Sequence, residues 1–171
     1  TSPRYVEFNK LKELLEINKK QSKYVAVIVK NDLKTLEKIK DLPFDYYQLY
    51  SCSSDEVLKI KETYKKKIIT AITIKNKDDV IKYKDYENVS DIILFDGPGM
   101  AESIGFNHDL LNEVPEHISK MIAGNIKIED IPNFKNKDWI LDVSSNLESE
   151  RGVKDINKID KFLNTVHNIK S

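Results

Sequence analysis

Short β-branched runs and amphipathic stretches take turns along this chain from one end to the other. Phe8, Leu11 and Leu15 recur at helical spacing among lysines and glutamates, which predicts an amphipathic helix over residues 6–19. Residues 24–29 come next as a β-branched run with no polar interruption, the pattern of a strand buried on both faces of a parallel sheet. Asn31 or Asp32 can cap the next helix, whose Leu33, Leu36 and Ile39 share a face. A strand at 46–50 succeeds it, and Ser53-Ser54-Asp55-Glu56 offers a capping box for a helix that turns Val57, Ile60 and Tyr64 inward.

The alternation continues through a strand at 68–74, a polar helix at 78–86 and a strand at 91–95 that ends at Asp96. Gly97-Pro98-Gly99 opens a loop, residues 106–114 form a short helix before Pro115, and 120–123 is again a strand. A helical turn at 126–134 is interrupted by Pro132, and the last strand spans 139–143. Residues 155–169 form the clearest helix, striped by Ile156, Ile159, Phe162, Leu163, Val166 and Ile169.

Strands therefore begin near residues 24, 46, 68, 91, 120 and 139, each succeeded by a helical pattern. This rhythm predicts an α/β fold with six parallel strands, and right-handed crossovers of one kind close into a (β/α) TIM-barrel. A barrel of eight strands is two more than the six counted here, and a helix with no strand of its own leads the array. The first two barrel strands are thus expected to be missing from the amino end. Two unpaired strand edges, at 24–29 and 139–143, would then invite a homodimer.

Composition narrows the partners. The 171 residues suit one domain over 1–171, and 28 basic against 28 acidic side chains leave no field for nucleic acid or an anionic membrane. The single cysteine, Cys52, cannot form an intramolecular disulfide and fits a reducing, cytoplasmic setting. No apolar run is long enough for a membrane span. His108, His117 and His167 lack partners at metal-ligand spacing and read as scattered surface side chains, and neither a phosphate-binding P-loop nor a dinucleotide fingerprint is present, so neither metal nor cofactor is expected.

In such a barrel the chemistry gathers at the carboxyl ends of the strands, with phosphate on the last two loops. Here those loops come after Ala123-Gly124-Asn125 and Ser144-Ser145-Asn146. Gly124 lets a backbone approach closely, and Ser145 with its neighbours supplies donors. Asp96 ends its strand and either faces the barrel mouth or starts the turn at Gly97-Pro98. A thiol at Cys52, just past the end of the strand at 46–50, is either inert or near enough the mouth to react.

The run Asp142-Val143-Ser144-Ser145-Asn146-Leu147-Glu148, with Gly152-Val153-Lys154-Asp155 after it, resembles the C-terminal signature of the phosphoribosylanthranilate isomerase family. Ser2-Pro3-Arg4-Tyr5-Val6, Tyr47-Gln48-Leu49, Leu94-Phe95-Asp96 and Ala123-Gly124-Asn125 match in the same order. The resemblance implies an isomerase acting on N-(5'-phosphoribosyl)anthranilate by an acid/base Amadori rearrangement. It implies Asp96 as general acid, Arg4 on the anthranilate carboxylate, Asp142 near the ring and amine, Gln48 at a strand end, and Gly124, Asn125, Ser145 and Asn146 around the phosphate. Asn146 stands where the family carries glycine, a position that asks for a residue tolerant of left-handed backbone. Proton removal from C2' falls to a family cysteine on a strand that would precede Thr1. The competing expectation is a non-catalytic homologue that retains only a phosphate-binding barrel.

Overall fold

The computed structural model describes residues 4–98 and 104–170. The elements in chain order are α1 (Phe8–Glu16), β1 (Val25–Val29), α2 (Leu33–Ile39), β2 (Tyr46–Tyr50), α3 (Ser54–Tyr64), β3 (Lys67–Thr73), α4 (Lys77–Val80) and β4 (Ile92–Asp96). β5 (Lys120–Ile122), β6 (Trp139–Leu141), β7 (Glu148–Glu150), β8 (Val153–Lys154) and α5 (Ile156–Lys170) complete it. The first six strands form one sheet in the order β1-β2-β3-β4-β5-β6, so each crossover joins neighbours, as a (β/α) barrel requires.

Several segments are tighter than their apolar pattern suggests. The helix expected at 78–86 is one α-helical turn, α4, and then a 3-10 turn over Ile81–Asp85. Those expected at 106–114 and 126–134 are 3-10 turns at His108–Glu113 and Ile128–Phe134. Pro132 inside the latter lacks the N–H that a continuing α-helix needs.

By packing, the chain divides into two compact units, Tyr5–Ile72 with Ile81–Leu94, and Thr1–Arg4 with Thr73–Val80 and Phe95–Ser171. In the first, Leu36 and Ile39 of α2, Val57 and Ile60 of α3, and Tyr47, Leu49 and Ile68 of the sheet build one core. The capping box of α3 forms as the sequence predicts: Ser53 Oγ accepts from Glu56 N, and Glu56 Oε2 accepts from Ser53 N at 2.8 Å.

The expected two-sided burial of residues 24–29 is corrected. Ala26 and Ile28 are buried, whereas Val25, Val27 and Val29 are exposed, Val27 by 61%. β1 is an end strand whose register sets Ala26 and Ile28 beside Tyr47 and Leu49 on the helix-covered face, with Val27 beside Gln48 on the other. A β-branched run does not by itself say whether one face or two will be covered.

In the second unit Ile74, Leu111, Ile122, Ile126, Ile131, Phe134 and Phe162 are buried. His108 lies within an aromatic series, its ring 4.7 Å from Phe106 and 5.4 Å from Phe134, which in turn lies 6.0 Å from Trp139. This corrects the reading of His108 as a scattered surface side chain: burial holds its imidazole below the usual value, so it packs as a neutral ring.

Tyr47 is fully buried, edge-on to Phe44 and Tyr64, with no hydrogen-bond partner for its hydroxyl. Tyr47→Ala should cost about 3–5 kcal/mol, whereas Tyr47→Phe should leave stability unchanged or raise it by about 1 kcal/mol. Urea denaturation of the two variants checks this; a large loss in Tyr47→Phe would reveal a hydrogen bond that matters.

Candidate active site

Three backbone hydrogen bonds just beyond the strand ends align the functional positions of the second unit. Ile74 N donates to Asp96 O at 2.8 Å, Ala123 N to Phe95 O at 2.9 Å, and Asp142 N to Ile122 O at 2.8 Å. Because parallel strands carry their carboxyl ends to one side, Asp96, the Ala123–Gly124 turn and Asp142 emerge along a common edge. The two aspartates feel each other's charge. Burial first and the negative charge of Asp96 second push the Asp142 carboxyl up to about 6, against a smaller lowering by Lys154.

Gly124 and Gly97 are where backbone meets backbone. Gly124 has φ +95°, and a Cβ there would stand 2.8 Å from Gly97 N and 2.9 Å from Ile104 O. A Cβ on Gly97 would overlap Ile104 O outright. The chain at Ile104 therefore crosses the start of the Gly97 loop and the Gly124 turn, and both glycines are required for that crossing. The segment at 99–103, expected from the sequence to belong to the same loop, lies outside the described residues.

Asn125 comes next with φ 54°, the left-handed region that asparagine tolerates better than most residues. The left-handed backbone expected at Asn146 is thus found at Gly124 and Asn125 instead. Asn146 serves through its side chain: Nδ2 donates to Ile126 O at 2.7 Å and to Asn125 Oδ1 at 3.2 Å. That amide ties the turn after β5 to the one after β6, and a glycine in its place could not. Ser145 opens the short 3-10 turn Ser145–Leu147, and the Leu147 N–H donates to Ser144 O.

Arg4 is engaged by Glu148. Its Nε and Nη2 donate to Glu148 Oε1 and Oε2 at 2.8 and 3.1 Å, a bidentate pair that sequence reasoning missed. Glu148 begins the β7–β8 hairpin, which was also unforeseen; Gly152 at φ +88° makes its turn, and the Gly152 N–H donates to Glu148 Oε2 at 3.0 Å. The signal was present in Arg151-Gly152 between two short polar segments, but strands of two and three residues carry too little periodicity to declare themselves.

Gln48 and Cys52 belong to the first unit. Gln48 is buried on β2 and donates through Nε2 to the Tyr50 hydroxyl at 3.3 Å. Cys52 is buried, and burial pushes its thiol up to about 11, so it carries almost no thiolate at neutral pH. Among the described residues no group of three or more His, Cys, Asp or Glu side chains could hold a metal ion, and no helix is long and apolar enough to cross a membrane.

The chain is similar to known proteins in sequence and in fold. Residues 1–165 match the family model of N-(5'phosphoribosyl)anthranilate (PRA) isomerase. An N-(5'-phosphoribosyl)anthranilate isomerase of a Sulfurihydrogenibium species is 34% identical over 98% of this chain and 84% of its own length. The crystal structure of phosphoribosyl anthranilate isomerase from Thermotoga maritima superposes with a TM-score of 0.86 at 20% identity, covering 98% of this chain and 84% of that one. A second structure of such an isomerase, in complex with reduced 1-(o-carboxyphenylamino)-1-deoxyribulose 5-phosphate, gives 0.83 at the same identity over 98% and 83%.

The raised Asp142 carboxyl has a thermodynamic consequence. The folded protein keeps this proton to higher pH than the unfolded chain, so the stability it confers is complete below pH 3.8 and lost as pH rises through about 6. Asp142→Asn should therefore be more stable than the parent by about 2–3 kcal/mol at pH near 8, with the difference closing below about pH 4. Urea denaturation across that range is the check, and equal stability of the two proteins at the alkaline end would contradict it.

Proposed function

We infer that this chain, which belongs to the N-(5'-phosphoribosyl)anthranilate isomerase family, converts N-(5'-phosphoribosyl)anthranilate into carboxyphenylamino-deoxyribulose 5-phosphate in tryptophan biosynthesis. The observation that carries the reading is the meeting of Asp96, Asp142 and two bridged turns along one strand edge. Phosphate suits the turns at Gly124–Asn125 and Ser144–Asn146, where backbone N–H groups, hydroxyls and an amide converge.

Asp96 is the general acid of this reading. It gives its proton to the furanose ring oxygen, the C1'–O bond breaks, and the anthranilate nitrogen lone pair closes a Schiff base at C1'. The C2' proton then passes to a general base, a role assigned to none of the described residues, and the resulting enolamine takes a proton at C1' and releases its hydroxyl proton to become the ketone. The proton retained to about 6 is that of Asp142, raised by burial and by the negative charge of Asp96, and in this reading Asp142 passes it to Asp96, which delivers it to the ring oxygen. Asp142 lies by the aromatic amine, and Arg4 meets the anthranilate carboxylate. Cys52 takes no part in removing the C2' proton, because its thiol stays protonated.

The setting is cytoplasmic, and the protein associates with a second copy through its strand edges. β1 and β6 end the strand order, and the exposed Val25, Val27 and Val29 supply an apolar surface at the first of them.

Asp96→Asn should reduce turnover of N-(5'-phosphoribosyl)anthranilate by at least about a thousandfold while leaving the affinity for the reduced product analogue within a few fold. Steady-state kinetics beside calorimetric titration separate the two effects; turnover that survives the substitution would defeat the assignment, and binding without turnover in the parent would favour the non-catalytic homologue. Sedimentation velocity should report a dimer, and a monomer at all concentrations would contradict the edge association.

A further inference from the structure

Small and amide side chains mark the phosphate site in the sequence, and neither Glu148 nor Lys154 figures among them. The Glu148 carboxylate is engaged on both oxygens. Its side chain is only 5% exposed. Oε1 accepts both Arg4 Nε at 2.8 Å and Lys154 Nζ at 2.7 Å, and Oε2 accepts Arg4 Nη2 and the Gly152 N–H. Two cations thus share one oxygen, a placement that their mutual repulsion forbids without a full negative charge between them. Hydrogen bonding by Arg4, Lys154 and Gly152 holds the Glu148 carboxyl down to about 2, in keeping with permanent ionisation.

Lys154 does not stop at Glu148. The same ammonium donates to Ser144 O at 3.0 Å and Ser144 Oγ at 2.9 Å, and its charge reaches Asp142. Its side chain is 43% exposed, and its three N–H donors go to Glu148 Oε1, Ser144 O and Ser144 Oγ, so an anion arriving at the turn takes over the bond now made to Ser144 Oγ. Lys158 Nζ donates to Glu148 O at 2.7 Å from α5, adding a third cation to the group. Arg4, Lys154 and Lys158 stand around the one carboxylate of Glu148, and Asp155, whose N–H donates to Leu147 O, adds a second acidic residue beside the Ser144–Leu147 turn, so the cation that faces the turn directly is Lys154. Neutral donors alone would orient a phosphate dianion; a fixed ammonium supplies the charge that matches it.

We propose that Lys154 is the cation of the phosphate site at the Ser144 turn and that Glu148 is the positioning residue that holds it there, with Arg4 anchored on the same carboxylate. The proposal rests on the phosphate-sugar reading of the site and names the residues that give its phosphate end a charge. Glu148 touches no substrate in this scheme. It fixes where two cations stand.

The test is a double-mutant cycle on the full chain, with inorganic phosphate as the probe and chloride at matched ionic strength as the control. Calorimetric titration should show phosphate binding weakened about tenfold in Lys154→Met and by a similar factor in Glu148→Gln, with the double variant no worse than Lys154→Met alone, because Glu148 acts through Lys154. Tighter or unchanged binding in Glu148→Gln would overturn the proposal, since a carboxylate that merely cancels positive charge would act that way; additive losses, or a parent that does not bind phosphate, would overturn it too. Should Glu148→Gln not fold, Glu148→Asp keeps the charge but is one methylene too short for both cations, and the same weakening is expected; unchanged binding there would count against the proposal. Turnover assays on the same proteins keep the two readings apart. Phosphate binding lost in the variants of a parent that turns nothing over would defeat the isomerase reading and leave the role of Glu148 standing, whereas KM rising about tenfold at unchanged kcat supports both.

Discussion

Everything functional in this molecule depends on parallel strands ending together. The hydrogen bonds that carry the ladder one residue past β3, β5 and β6 bring Asp96, the Gly124 turn and Asp142 out on one side. Each of those positions opens into a loop free of the ladder's constraints, so side chains can differ there without disturbing the sheet. The two glycines at 97 and 124 complete the constraint. They let three stretches of backbone pass closer than any side chain would permit, and so hold the Asp96 end and the Gly124 turn in register.

Charge is distributed along this edge in a way that suits an acid-catalysed reaction on a phosphorylated anion. The Asp142 carboxyl is raised by burial and by Asp96, a source of protons near neutral pH. The turn beside it is lined by cations tied to Glu148, whose carboxyl is pulled down by the same neighbours. One edge therefore keeps a carboxyl that holds its proton and another that never does, separated by Lys154, which touches the field of both. The opposite shifts arise from surroundings alone, since the first is buried among groups that do not compensate it and the second accepts four hydrogen bonds.

The alternation of elements was legible because six short strand patterns, each succeeded by a helical one, repeat about every two dozen residues, and that repetition outweighs errors at any one element. The capping box at Ser53 and the strands β2 and β4 are found where the sequence placed them. The failures are local and have local causes. Burial of β1 on one face only depends on its place at the end of the sheet order, which no residue in 24–29 encodes. The β7–β8 hairpin is too short for a periodic signal. At the site, small and acidic residues were recognisable by their position after strands. The Arg4–Glu148 pair joins residues 144 apart, and only the folded chain discloses it. The same holds for the bridging amide of Asn146, a residue that the family resemblance presents as a phosphate neighbour standing in place of glycine.

The central claim is that Asp96 and Asp142 form one electrostatic unit at the common strand edge. Titration of the carboxyl carbons by 13C NMR in the parent, Asp96→Asn and Asp142→Asn proteins tests it most directly. The account predicts one aspartate signal with a midpoint near 6 in the parent, missing in Asp142→Asn and moved to lower pH in Asp96→Asn. Independent midpoints near about 4 for both aspartates, unmoved by either substitution, would contradict it.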